Sequence, residues 1–189
     1  LKHCVVVAVG DDAFDTDNGY QGRGQFLLVV RADDSDKGHE MDNATGGDLD
    51  SQPRSHPHFA NVTVISSPSH GEDALRLREG TGGDFRNYII HGANDGVRND
   101  ENGSEVVTQD WATAEAAGHP DYLYISGSII MNGLADVPWD DFDEAGDGDW
   151  TGTYVMESAG LALTVDNNGL PATIDVTPSA DGSAYEGVD

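Results

Sequence analysis

The 189-residue sequence predicts an all-β chain: a right-handed parallel β-helix, a solenoid with variable loops and a C-terminal strand appendage. Three observations predict it. Short β-branched and aromatic runs recur along the chain. The same turn-and-strand pattern follows four of them. Glycine is abundant (24 residues) while apolar residues reach only 37%, a balance that suits many turns around a thin core better than a helical bundle.

The runs cover residues 4–9 (CVVVAV), 26–30 (FLLVV), 60–66 (ANVTVIS), 85–91 (FRNYIIH) and 123–131 (LYISGSIIM). Their unbroken apolar character suggests strands stacked tightly against a core. The first four are each followed by a Gly/Asp/Ser turn, an acidic residue and a second short strand. The second strands place Phe14, Met41, Leu75 with Leu77, and Val97 inward, with polar residues alternating outward. The leading runs start 22, 34, 25 and 38 residues apart. Stacked rungs that turn the same corner explain a fixed motif with unequal spacing, because loops of different length leave one side of the coil. About five rungs are expected over residues 1–133. The polar, Pro-containing stretch 43–58 reads as a surface loop.

Residues 110–120 form the single helix-like patch, opened by Asp110 and closed by Gly118 and Pro120. Residues 134–150 read as an acidic loop. Residues 151–189 read as a strand pair or cap, with alternating strands at 161–165 and 172–176 around the turn Asp166-Asn167-Asn168-Gly169.

Charge narrows the function. Thirty-five acidic side chains face nine basic ones, a formal net charge of −26. No Lys or Arg follows Arg98, while 19 acidic residues do. Such a field repels nucleic acid and anionic membranes, and it suits either solubility in a salty medium or cation binding. No apolar run approaches the roughly 20 residues of a membrane helix, so membrane insertion is not expected. A single cysteine, Cys4, rules out an intrachain disulfide and a cysteine zinc site and reads as a small buried hydrophobe. The chain opens directly on a strand-like run without a leading Met, which suggests a processed secreted chain or part of a longer one. An extracellular or cell-surface location follows from that expectation. Asn43, Asn61 and Asn102 head glycosylation sequons.

Several clusters could carry chemistry. Asp11, Asp12, Asp15 and Asp17, with Asp33, Asp34 and Asp36 on the next rung, are candidate Ca²⁺ ligands; equally, such residues bond turn amides. Asp136, Asp140, Asp141, Asp143, Glu144, Asp147 and Asp149 form a second acidic candidate. His56-Pro57-His58 with His70 offers a weaker metal set. An acid/base reading uses Asp11, Asp12 and His39 for glycoside cleavage. A lyase reading takes Arg76, Arg78 or Arg98 as the base, although Arg at alternate strand positions more often pairs with Asp or Glu. Tyr20, Tyr88, Trp111, Trp139 and Trp150 are available to stack on a sugar.

The run Gly10-Asp11-Asp12-Ala13-Phe14-Asp15-Thr16-Asp17-Asn18-Gly19-Tyr20-Gln21-Gly22 resembles a motif of large secreted bacterial surface proteins of the lipoprotein type. Gln25-Phe26, Glu40-Met41-Asp42, Pro53-Arg54-Ser55, Asn61-Val62-Thr63 and residues 75–80 (LRLREG) fit the same family in the same order. The resemblance covers about residues 1–100. It implies a right-handed parallel β-helix of the pectin-lyase-like class and assigns no activity. In that family the matching segment lies well inside a longer chain, which implies further rungs before it or a neighbouring molecule in their place.

The sequence therefore leads to an extracellular structural or adhesive solenoid. Its expected partners are other copies of itself or neighbouring surface proteins, with self-association into a filament or layer and possible Ca²⁺ stabilisation. The alternative is a polysaccharide-active lyase or hydrolase, or a carbohydrate-binding module.

Overall fold

The computed structural model describes residues 1–44, 46, 48–67, 71–100, 107–108, 111–118, 121–140, 142, 161–175 and 177. Long leading strands β1 (Lys2–Val7), β3 (Arg23–Arg31), β5 (His58–Ser66), β7 (Gly83–Ala93) and β10 (Leu123–Leu134) stack in parallel. Short following strands β2 (Phe14–Thr16), β4 (His39–Met41), β6 (Leu75–Leu77), β8 (Val97–Asn99) and β11 (Trp139–Asp140) stack the same way. Strand β9 (Val107–Thr108) adds to the far side of β10. The expected parallel β-helix is the fold observed, with five rungs among the described residues.

Each leading strand is two strands joined at a corner. His3, Phe26, Asn61 and Asn87 occupy one register column and share a left-handed backbone, with φ between 54° and 57°; Gly127 (φ 78°) continues the column on β10. L-residues take this conformation at a cost of about 1–2 kcal/mol each. Contacts between rungs offset it. The His3 and Phe26 rings stack at 5.0 Å, 7° from parallel, and Asn87 Nδ2 donates to Asn61 Oδ1 at 3.0 Å. The corner inverts the side-chain alternation. Gly24, Phe59, Phe85 and Ile125 point inward before it; Leu27, Val62, Tyr88 and Ile129 point inward after it, followed by Val29, Val64, Ile90 and Met131. Gly24 is required where it stands, because a Cβ there would lie 2.5 Å from the Phe59 ring. The short strands close the core with Phe14, His39, Leu75, Val97 and Trp139 in one column.

The leading strands are apolar on both faces for a specific reason. Outward-facing Leu28, Val30, Ile65 and Ile89 are covered by Leu161, Leu163 and Val165. Leu163 and Val165 belong to, and Leu161 immediately precedes, an antiparallel hairpin of β12 (Ala162–Val165) and β13 (Pro171–Asp175). Its turn is tied to the coil where the Asp33 N–H donates to Gly169 O at 3.1 Å. The C-terminal appendage is thus a strand pair lying along the flank of the second to fourth rungs. Of residues 151–189, only 161–175 and 177 are described.

Two expectations need correction. Trp139–Asp140 extends the second sheet by pairing with Val97–Arg98, so rungs run past residue 133 into the stretch read as an acidic loop. In 43–58, Gly46, Asp48, Asp50, Gln52 and Pro53 are exposed as a surface loop should be, but the two ends of the segment are not. Asn43, Arg54, Ser55 and His56 are buried. Asn43 Nδ2 donates to Leu49 O and Ser51 O (2.8 and 3.1 Å), and its Oδ1 accepts from Ser55 N–H at 2.7 Å. Ser55 Oγ in turn accepts from the N–H groups of Gly19 and Tyr20 at 3.0 and 3.2 Å. Arg54 donates to Asp121, Asp50, Leu49 O and Gly80 O, stapling the loop to its neighbours. Helix α1 (Trp111–Ala117) forms as expected and ends at Gly118, φ 88°.

The corner yields a graded prediction. Asn87→Gly keeps the backbone and loses the bond to Asn61, at about 1 kcal/mol; Asn87→Val loses that bond and strains the backbone, at about 2–3 kcal/mol. Equal denaturant midpoints for the two variants would refute the corner's role.

Candidate functional site

The sequence-predicted residues fall into separate places. His39 is fully buried in the apolar column between Phe14 and Leu75. Its ring packs edge-on to Phe59 and Tyr88, and burial pushes it down to about 3, so it stays neutral. Asp11 and Asp12 lie in the turn before β2, outside the core. The acid/base set Asp11, Asp12, His39 is therefore not brought together. The reason is strand alternation: His39 pairs in register with inward Phe14, and inward residues do not meet solvent.

Arg76, Arg78 and Arg98 form the outer face of the second sheet. The register column there reads Asp15, Glu40, Arg76, Arg98, Asp140. Arg78 donates to Asp42 (2.7 and 2.8 Å) and Glu40 (2.7 Å), and Arg76 donates to Asp100 at 2.6 Å. Arg98 lies 3.5 Å from Asp140. The hydrogen bond to Asp42 raises Arg78 above its ordinary value. A proton-abstracting arginine needs the opposite shift. These residues form a structural ion ladder.

Of the metal candidates, Asp11, Asp12 and Asp36 place one oxygen each within 4.8 Å of one another. That spacing suits a hard cation. Lys37 already supplies positive charge beside them: its Nζ lies 2.7 Å from Asp36 and 3.3 Å from Glu40, and its N–H donates to Asp12 Oδ1 at 2.7 Å. Burial foremost, with repulsion from Glu40 and Asp36, pushes Asp12 up to about 6. Asp15 and Asp17 belong with Glu40 and Asp42 instead; burial and then those neighbours raise Asp15. Asp33 accepts from Ser67 Oγ, and Asp34 is exposed. The seven Asp candidates thus do not form one centre; Asp11, Asp12 and Asp36 alone converge. Of the second acidic cluster, Asp136 and Asp140 are described and the rest lie outside the described residues, as do His70, Asn102 and Trp150. His56 is buried with its ring 4.7 Å from Tyr122. Asn43 is 1% exposed with its amide engaged, so it is closed to a glycan; Asn61 sits at the corner, half-buried.

A site the sequence reading missed lies on the outer face of the first arm, before the corner. Two register columns face outward there: Arg23, His58, Asp84, Tyr124, and beside it Lys2, Gln25, Ala60, Arg86. With Trp111 from α1 these residues, Tyr124 excepted, line a cleft of about 530 Å³. Ala60 keeps its floor low. Asp84, 8% exposed, accepts from Arg86 Nε and Nη2 (2.6 and 2.7 Å) and lies 3.4 Å from His58 Nδ1. Burial pushes Asp84 up, but the bonds from His58 and Arg86 outweigh it and hold the carboxyl below its usual range. The Arg86 guanidinium lies over Tyr124 (4.8 Å) and Trp111 (5.6 Å), and Trp111 is 45% exposed. Lys2 and Arg23 are exposed, and among the described residues neither has a carboxylate within ion-pair distance. Such a cleft can hold anionic groups against two cations and stack a ring on an aromatic.

The sequence carried a signal for it. Outward–inward–outward triplets, Arg23-Gly24-Gln25, His58-Phe59-Ala60 and Asp84-Phe85-Arg86, stand at or next to the start of the leading strands on consecutive rungs. Starting the strands at residues 26, 60 and 85 left out all of the first triplet, His58 and Phe59 of the second and Asp84 of the third.

A family model for the pectate-lyase-like β-helix domain matches residues 1–117. The chain belongs to this family. The match runs from the first rung to the end of α1 and so includes every residue that lines the cleft. The flanking hairpin lies beyond it. No curated protein and no solved structure matches the chain. This family membership agrees with the resemblance read from residues 1–100.

One buried pair sets a pH dependence. Asp73 and Asp95 are 2% and 1% exposed at equivalent turns of neighbouring rungs. Burial foremost, then a hydrogen bond with Asp95, pushes Asp73 up to about 7, against the pull of Arg76. The folded chain therefore holds this proton more tightly than the unfolded one between about pH 4 and pH 7, so the pair's contribution falls as pH rises through that window. Asp73→Asn removes the titration. Its thermal midpoint should exceed wild type by a few degrees near pH 7.5 and converge with it near pH 4.5. A constant difference between the two across that range would contradict the assignment.

Proposed function

We propose that this β-solenoid is an extracellular adhesive module that binds an acidic polysaccharide, without cleaving it, in the cleft of Lys2, Arg23, His58, Arg86 and Trp111. The observation that carries this reading is the placement of charge. In a chain of 35 acidic side chains, the exposed cations Lys2 and Arg23 have no carboxylate partner among the described residues, and both open into one cleft beside an exposed tryptophan. A surface that otherwise repels polyanions keeps one place where an anionic sugar chain meets uncompensated positive charge. Trp111 offers a flat apolar face to a sugar ring.

The test is affinity electrophoresis or calorimetry with oligogalacturonate, against a neutral cello-oligosaccharide of equal length. Wild type should bind the acidic oligomer and not the neutral one. A Lys2→Glu/Arg23→Glu double variant should lose at least about tenfold in affinity, since two repelling charges replace two attracting ones at the surface. Equal affinity for both sugars, or an unaffected double variant, would remove the reading.

Self-association is a second reading, favoured by a separate observation. β1 ends its sheet, and Val5 and Val7 on it are 62% and 45% exposed while their register neighbours Leu28 and Val30 are partly or fully buried. A further rung pairing with that edge, from another copy, would cover them. Light scattering over a concentration series should then show growth beyond the monomer, reduced by Val5→Lys; a concentration-independent monomer mass would exclude it.

A further inference from the structure

We propose that Gln25 and Ala60 make the cleft selective for a sugar chain among polyanions: a sugar ring seats over Ala60, between Gln25 and Arg86, and the Gln25 amide bonds its hydroxyls. This deepens the reading of the cleft as an anion-binding site and rests on it. Lys2, Gln25, Ala60 and Arg86 form one outward column, one residue per rung. Neighbouring strands lie about 4.8 Å apart, so Gln25 and Arg86 start roughly 10 Å from each other with one methyl group between them.

The gap stays open because the long side chain beside it is turned away. Asp84 holds Arg86 Nε and Nη2 at 2.6 and 2.7 Å, and the guanidinium lies over the Tyr124 and Trp111 rings at 4.8 and 5.6 Å. Tyr124 belongs to the rung after Arg86, whereas Ala60 belongs to the rung before it. Arg86 therefore leans off Ala60 and stands as a fixed wall with Trp111 beside it. On the other side Gln25 is partly buried and lines the cleft. Among the described residues no hydrogen bond engages its side-chain amide. Such an amide is an uncharged donor and acceptor held ready in the cleft. A hydroxyl offers the matching acceptor and donor in one group, whereas a carboxylate only accepts. The charged groups stand to the side: Lys2 is next in the column, and Arg23 lies two residues before Gln25 on β3. Lys2 and Arg23 attract carboxylates, which any such polyanion supplies. The space over Ala60 and the Gln25 amide serve a ring that carries hydroxyls. A polyanion without hydroxylated rings makes use of the charge alone.

Calorimetry at one salt concentration compares oligogalacturonate with oligoglutamate of equal charge, for wild type, Ala60→Arg and Gln25→Met. Both positions face outward, and circular dichroism confirms that each variant keeps the fold. Wild type should prefer the sugar by about tenfold. Ala60→Arg separates a ring seat from simple charge, because the two predict opposite signs. The added guanidinium fills the seat, so the sugar should bind at least about fivefold more weakly, while oligoglutamate should bind more tightly. Gln25→Met should cost the sugar about threefold to tenfold and leave oligoglutamate unchanged. The Lys2→Glu/Arg23→Glu variant should weaken both ligands, which ties both to the same cleft. If Ala60→Arg tightens both ligands, if Gln25→Met leaves sugar binding unchanged, or if wild type binds the two ligands equally, the proposal fails and the anion-binding reading stands. Absence of binding to either ligand by wild type overturns both.

Discussion

The left-handed corner at His3, Phe26, Asn61, Asn87 and Gly127 governs the geometry of the whole coil. A parallel ladder transmits backbone conformation: once one rung bends at a register position, the next can keep its hydrogen bonds only by bending at the same place. Five rungs therefore share one bend. The cost of placing L-residues in this region is repeated on each rung, and it persists because ring stacking and the Asn61–Asn87 bond join the corners to one another. The corner also decides which side chains form the core. By inverting the alternation, it lets Phe59 and Val62, or Phe85 and Tyr88, both point inward although three residues separate them. The cleft lies immediately before this bend, so its two outward columns are held by the same ladder that holds the core.

Rungs were legible in the sequence because fully covered strands write continuous apolar runs, and the turn residues between them recur. The second sheet was legible to the residue at Phe14, Met41, Leu75, Leu77 and Val97. The corner was not. A strict period of two cannot represent an inversion, so the strands were begun too late, and Arg23, His58 and Asp84 fell outside them. His39 misled for a related reason. A histidine beside a glycine and a glutamate looks catalytic in one dimension, whereas its register partners Phe14 and Leu75 place it in the core. The outer apolar face of the first sheet was equally hidden. Nothing local in residues 26–30 announces that a hairpin more than a hundred residues later will cover Leu28 and Val30.

Charge in this chain follows two regimes. Among the described residues, acidic side chains stand on turns and outward faces, with Glu40, Asp42, Asp73, Asp84 and Asp95 buried. Positive charge is scarce, and most of it is committed to structure: Arg54 staples the loop after the second rung, Arg76, Arg78 and Arg98 neutralise the acidic ladder, and Arg31 is 1% exposed between Asp36 O and Ser66 Oγ. Burial pushes Arg31 down to about 10, with surrounding carboxylates resisting, so it remains a cation. Against that background the uncommitted charge of Lys2 and Arg23 is unusual, and it gives the cleft a sign opposite to the molecule's.

The flanking hairpin has a consequence for how the chain assembles. Leu163 meets Val30 across about 130 residues of intervening chain, a closure that is entropically costly until the rungs between them have formed. Rung-to-rung contacts need only one circuit of chain each. The coil can therefore build progressively from neighbour to neighbour, and the hairpin is a late arrival that finds its binding face already made. It joins three rungs laterally across their outer surface, where the ladder joins them only along the axis. A modular stack that could otherwise fray one rung at a time is thereby tied into a unit whose second, third and fourth rungs open together.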